Sequence, residues 1–167
     1  MPKGGDIRPT TDRSKESLFS ILSTQYILEA CEVLDLFAGS GNISFEFASR
    51  GAQRIVSIEK NRRVQKQAKQ FALDKSIQDI TFLPFDAFKY LKSCSEQFDI
   101  IFADPPYHLN TIQEIPQLVL EKHLLKPGGM LIIEHHTTLA MHHPNLVDTR
   151  TYGQSVFSFF KEVTEAT

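Results

Sequence analysis

Residues 32–52 read EVLDLFAGSGNISFEFASRGA. The first five residues form a short apolar run that opens on Glu32 and carries Asp35 within it. A glycine-rich turn, Gly39-Ser40-Gly41, follows. Then Ile43, Phe45, Phe47 and Ala48 recur at helical spacing until Gly51 stops the pattern. The segment reads as strand, tight turn, helix.

The same alternation continues downstream. RIVSIEK (54–60) is a second strand. NRRVQKQAKQFALDK (61–75) is a helix, with Val64, Ala68, Phe71 and Ala72 on one face and Asn61 as its N-cap. DITFLPFDAF (79–88), FDIIFADPPY (98–107) and GGMLIIEHH (128–136) supply three more strand-like runs, with a helix around IQEIPQLVLEKHL between the last two. Strands separated by helices imply a parallel sheet covered on both faces, an α/β doubly wound fold. The tail NLVDTRTYGQSVFSFFKEV breaks the alternation. It reads as two strands joined at Tyr152-Gly153-Gln154, an antiparallel hairpin at the sheet edge in which Phe157, Phe159 and Phe160 serve the core. That brings the sheet to seven strands. Ahead of them, TTDRSKESLFSILS reads as a helix capped by Thr11 or Asp12, with Leu18, Ile21 and Leu22 facing inward.

Composition fits this frame. The chain has 167 residues, 41% hydrophobic and 23% charged, enough for one core, so residues 1–167 are expected to form a single domain with residues 1–25 packed on it. No apolar run approaches the roughly 18 residues of a membrane span, and MPKGGDIRPTTDR lacks the apolar centre of a signal peptide. A cytoplasmic protein without membrane contact is expected. Cys31 and Cys94 are expected to be reduced thiols. Net charge is −2, yet residues 50–75 hold eight basic residues against two acids, while residues 96–167 hold four against nine. Such asymmetry permits a local basic face for a phosphate backbone, although a solvated helix face has the same composition.

In doubly wound sheets, ligands bind at the carboxyl ends of the strands. The unusual residues fall at these ends: Asp35 with Gly39 and Gly41 at the first, Glu59 at the second, Asp86 at the third, and Asp104-Pro105-Pro106-Tyr107 at the fourth. Glycines let a backbone approach a ligand closely, and Glu59, eighteen residues past Gly41, is placed to accept hydrogen bonds from ribose hydroxyls. A dinucleotide fingerprint requires a third glycine where Ser44 stands, which weakens a nicotinamide or flavin assignment without removing it. S-adenosylmethionine has a ribose and an adenine but no pyrophosphate, and needs only the first two glycines.

Prolines rarely belong in a sheet, because each lacks a donor and fixes its own φ. Asp-Pro-Pro can be an ordinary turn opening a helix. It can also fix acceptors in space. The exocyclic amine of a nucleobase is a poor nucleophile, since its lone pair is conjugated into the ring. A carboxylate at Asp104 and a carbonyl at Pro105, each accepting one N–H, would favour a tetrahedral nitrogen, while Tyr107 stacks on the base.

Together, VLDLFAGSGNISFEFASRGA, IEKN and FADPPY resemble the class I S-adenosylmethionine-dependent methyltransferases that modify nucleobase amines. With RPTTDRSKESLFSIL (8–22) in front, nearly the whole chain resembles the bacterial RsmD family, which methylates the N2 amine of a guanine in 16S ribosomal RNA. The resemblance implies a Rossmann-like fold and S-adenosyl-L-methionine as cofactor. It implies cofactor contacts from Asp35, Phe37, Gly39, Gly41, Glu59, Asp86 and Ala87, and a catalytic tetrad of Asp104, Pro105, Pro106 and Tyr107. The expected partner is 16S ribosomal RNA or the small ribosomal subunit, met by a monomer. RPTTDR matches a family signature at the mouth of the site. RsmD-like chains usually carry a basic, strand-forming arm before it, where only MPKGGDI stands in this sequence; the chain is shortened, starts differently, or belongs to a branch without the arm, and a missing arm would weaken RNA affinity more than cofactor binding.

The tetrad fits any planar amine, so adenine N6 or a protein glutamine amide are the alternatives within the same chemistry. A nicotinamide-dependent oxidoreductase or a non-catalytic RNA-binding module are those outside it. His135-His136 and His142-His143 suggest a metal, but adjacent strand residues point to opposite faces and no Cys or Glu completes a ligand set. No metal is expected.

Overall fold

The computed structural model describes residues 12–107 and 109–162. Arg8, Thr10 and Thr11 of the RPTTDR segment lie outside these residues, and with them the cap expected from Thr11. Asp12 instead occupies the first helical turn, where a negative charge complements the helix dipole. In chain order the elements are α1 (Asp12–Gln25), β1 (Glu32–Leu36), α2 (Asn42–Ser49), β2 (Arg54–Ile58), α3 (Arg62–Asp74), β3 (Ile80–Leu83), α4 (Ala87–Ser93), β4 (Phe98–Ala103), α5 (Glu114–Glu121), β5 (Leu125–His136), β6 (Leu146–Tyr152) and β7 (Ser155–Phe160).

The seven strands form one sheet in the order β3-β2-β1-β4-β5-β7-β6. β1 through β5 pair in parallel, and β7 joins β5 antiparallel with β6 outside it. The expected doubly wound, mostly parallel sheet with a C-terminal hairpin is therefore present. Strand order reverses between β1 and β4, so the connections leave both on opposite sides and open a crevice at their carboxyl ends.

Side-chain alternation builds a core on each face. Val33, Ile55, Ile100, Phe102, Ile132, Phe157 and Phe159 face Leu18, Phe19 and Leu22 of α1 and Ile43 and Phe47 of α2. The Phe19 and Phe47 rings meet edge-on at 4.6 Å. On the other face, Leu34, Leu36, Val56, Ile58, Ile101, Ala103, Leu131, Ile133 and Phe160 pack against α4 and α5. Each such side chain, fully withdrawn from water, contributes roughly 1.5–3 kcal/mol. The period-2 reading of β7 meets a sheet buried on both sides: Phe157 and Phe159 serve one core and Phe160 the other.

Two elements depart from the expected pattern. The run 79–88 is a strand only to Leu83, because Pro84 cannot donate to the ladder and the Asp86 carboxylate caps α4 by accepting from Lys89 N at 3.0 Å. β5 begins at Leu125 and not at Gly128, with the β4–β5 register shifting between Phe98 and Ile100 to accommodate Pro127 and the two glycines.

Phe157 has no exposed surface and sits between the rings of Phe102 and Tyr152, at 6.5 and 5.8 Å. Phe157→Ala is expected to lower the unfolding free energy by about 3–5 kcal/mol. Val147→Ala, on the exposed strand of the same hairpin, should change it by less than about 0.5 kcal/mol, both read from urea titrations.

Candidate active site at the carboxyl end of the sheet

The chain leaves β1 through a loop held in unusual backbone states. Phe37, Gly39 and Gly41 all have positive φ, of 56°, 55° and 87°. Gly41 must be glycine twice over, since a Cβ there would also lie 3.0 Å from the Phe45 ring. A Cβ on Gly39 would meet nothing within 4 Å, so the backbone at Gly39 borders open space that a ligand can enter.

Two acids fix this loop. Ser44 Oγ donates to Asp35 Oδ2 at 2.6 Å, tying the end of β1 to the first turn of α2. Glu59, at the end of β2, accepts from Gly39 N through Oε1 at 3.1 Å and from Asn61 N through Oε2 at 3.0 Å. The glycine turn is thus bolted to two neighbouring strands. Ser44, whose place in the sequence marks a missing third glycine, is the hydrogen-bond partner of a buried acid.

Asp35 is buried, and that burial pushes its carboxyl up to about 7; the Glu59 charge adds to the rise while the Ser44 bonds oppose it. Asp104 follows β4 directly. Ala103 is in register with Leu36 on one side and Ile133 on the other, which places Asp104 beside the end of β1 and beside Glu134 of β5. Burial holds the Asp104 carboxyl well above the ordinary carboxylate range, and the charges of Glu134 and Asp35 push in the same direction. Three carboxyl groups therefore share one end of the central strands. Glu134, buried at 3% exposure, carried no signal in the sequence because it lies inside an otherwise apolar strand.

Pro105 is buried and Pro106 exposed. The Pro106 carbonyl accepts from Leu109 N at 3.0 Å, closing the turn. Tyr107 packs its ring edge-on against His136, with centroids 5.6 Å apart. His136 is itself held by Thr138, whose backbone N–H donates to Nδ1 at 3.1 Å. His136 thus packs against the Tyr107 ring, a contact that reading it as half of a metal pair conceals. His135 points the other way, with Nε2 on Ser158 Oγ at 2.7 Å, and burial lowers its pKa. Among the described residues, no group of three His, Cys, Asp or Glu side chains could hold a metal ion.

Asp86 and Ala87 stand at the start of α4, beyond β3. Phe37 and Phe88 meet edge-on at 6.0 Å, so the loop after β1 and the start of α4 are in contact. All eleven candidate residues therefore lie at one end of the sheet. Asp35, Glu59 and the glycine turn form one connected unit, Asp104 adjoins it across β1 and β4, and Asp86 lies at its outer margin. Carboxyl groups gathered at low dielectric favour a ligand carrying positive charge.

A family model described as "Conserved hypothetical protein 95" matches residues 1–161. The ribosomal RNA small subunit methyltransferase D of Haemophilus influenzae is 36% identical over 132 residues, covering 77% of this chain and 67% of that protein. A solved structure of a putative methylase from Haemophilus influenzae is 31% identical, with a TM-score of 0.79, and covers 91% of this chain and 98% of that one. A putative methyltransferase from Escherichia coli superposes with a TM-score of 0.82 at 26% identity, covering 93% of this chain and 88% of that one.

The raised Asp35 carboxyl has a consequence for stability. The unfolded chain releases this proton near pH 4, whereas the native state keeps it to about pH 7. Between those values the native state binds more protons, so Asp35's contribution is full below about pH 4 and is lost as pH rises toward 7. In Asp35→Asn this component is absent. The difference in unfolding free energy between wild type and variant should therefore change by a few kcal/mol between pH 4 and 7; a difference independent of pH contradicts the assignment.

Proposed function

The chain belongs to the family described as conserved hypothetical protein 95, the RsmD family of small-subunit ribosomal RNA methyltransferases, and from that premise we propose that it methylates the exocyclic N2 amine of a guanine in 16S ribosomal RNA. The observation that carries this reading is Asp104, held beside two prolines and an oriented tyrosine at the carboxyl end of β4. The methyl donor is S-adenosylmethionine, which supplies a methyl group activated by a sulfonium charge.

The residues present suit that donor. The open space at Gly39 allows close approach of its backbone. Glu59 spends one lone pair per oxygen on Gly39 and Asn61 and keeps the others for ribose hydroxyls. On this reading Asp86 and Ala87, at the start of α4, contact the adenine, and Phe37 and Asp35 serve the methionine side. The Asp35 carboxyl, on the cofactor side, favours the cation through its charge.

On the substrate side, Asp104 accepts one N–H of the amine and the Pro105 carbonyl accepts the other, turning the nitrogen lone pair out of conjugation. Tyr107 covers the base and holds it flat, with His136 fixing the angle of its ring. Two prolines keep both acceptors from drifting, which matters because transfer requires an in-line approach. The nitrogen becomes acidic as its new bond forms, so Asp104 or water beyond it takes the proton without needing to be a strong base. The chain works as a single methyltransferase domain and a monomer, in the cytoplasm where ribosomes are assembled.

Asp104→Asn should lower kcat by about 10²–10⁴ and leave the affinity for S-adenosylmethionine within about threefold, since the Gly39–Glu59 unit is untouched. Because Asp104 acts as an acceptor in its ionised form, kcat/KM of the wild type should climb with pH through a midpoint above the ordinary carboxylate range. Loss of cofactor binding in Asp104→Asn, or full activity in it, overturns these roles.

A further inference from the structure

Among the described residues outside α3, Glu46 takes Lys15 and Arg50, Glu32 takes Arg54 and Lys126, and Asp148 takes Arg150, while other lysines, Lys89 and Lys92 of α4 among them, make no ion pair. Helix α3 differs in gathering its unpaired cations along one face. Arg62, Lys66 and Lys69 recur at i, i+4 and i+7, a spacing that lines them along one face, and all three are exposed, as are Lys60 and Arg63 beside them. None of the five makes an ion pair among the described residues. The first turn of the helix contains no acid, and Asp74, at its far end, accepts from Gln70 Nε2 at 2.9 Å.

This arrangement works against the helix that carries it. Positive charge at a helix N-terminus opposes the macrodipole, and like charges at i,i+4 repel. A helix face that interleaves Glu with Lys gains from both effects. A face that keeps only the cations is built for an anion that arrives from outside. Its position suits the active site, because α3 begins directly after Glu59 and Asn61, so the stripe starts at the rim of the cofactor unit and runs outward along the β2–β3 side of the sheet.

We infer that the outward face of α3, from Arg62 through Lys66 to Lys69, is a docking surface for the phosphate backbone of the RNA whose base enters beside Tyr107. This rests on the methyltransferase reading above and adds to it the surface that holds the substrate.

The test compares two double variants of equal net charge, Lys66→Gln/Lys69→Gln on α3 and Lys89→Gln/Lys92→Gln on α4, which packs on the opposite face of the sheet. Glutamine matches lysine in helix propensity, so the change is in charge alone. Binding of 16S ribosomal RNA is measured as a function of salt. The α3 variant should show a slope of log affinity against log salt shallower by about 1.4–1.8, and affinity weakened roughly tenfold near 0.15 M salt. KM for RNA should rise while kcat at saturating RNA and KM for S-adenosylmethionine hold. Its Tm should be no lower than that of the wild type, which separates weakened docking from misfolding. An unchanged slope in the α3 variant, or an equal change in the α4 variant, overturns the docking surface. A wild type that neither binds nor methylates the RNA overturns the reading beneath it as well.

Discussion

The hydrogen bond from Ser44 to Asp35 is the contact on which the rest of the site depends. It joins the last turn of a central strand to the first turn of the helix that follows, across the two glycines. With Asp35 buried, losing Ser44 would leave a polar group desolvated and without its partner, a cost of about 1–3 kcal/mol. The bond therefore fixes where Gly39 can sit, and Glu59 secures the same residue from the neighbouring strand. Cofactor geometry and core packing are in this way parts of one arrangement: the loop cannot shift without disturbing α2, whose Phe47 lies in the core with Phe19.

The sheet is electrostatically polarised from end to end. At its amino end, Glu32, Arg54, Asp99 and Lys126 neutralise one another across β1, β2, β4 and β5. At its carboxyl end, Asp35, Asp104 and Glu134 lie side by side, and Asp35 and Asp104 hold protons above their usual range. Like charges at close quarters are tolerated there because the apolar cores on both faces hold the strands in register. Such a site is poised for a cationic group, and a sulfonium donor gives up that charge when its methyl group leaves. The α3 face adds the complementary feature, positive charge on the exterior beside a negative interior.

Much of this was legible in the sequence, for definable reasons. Strand and helix periodicities are strong where both faces are buried, so five parallel strands and the hairpin could be read directly. Asn61 accepts from Arg63 N and Val64 N as an N-cap should. The strand-end acids and glycines stood out because polar residues and turns interrupt apolar runs there. What escaped notice depends on partners distant in sequence. Ser44 read as a missing glycine because its bond to Asp35 is a matter of geometry. Glu134 was hidden in an apolar strand, and its effect on Asp104 follows from β5 lying next to β4. His136 read as half of a histidine pair, while its contact is with Tyr107 from another strand end. Helix α4 was obscured because Pro84 and Asp86 end one element and begin the next within three residues.

The central claim is that this carboxyl-lined strand end methylates a guanine amine in ribosomal RNA. The most direct measurement is to incubate the protein with methyl-tritiated S-adenosylmethionine and small ribosomal subunits from cells lacking this modification, then digest the RNA and identify the labelled nucleoside. The account predicts label in N2-methylguanosine at a single position of the 16S RNA. Label in N6-methyladenosine or in a protein glutamine, or none transferred at all, would contradict it.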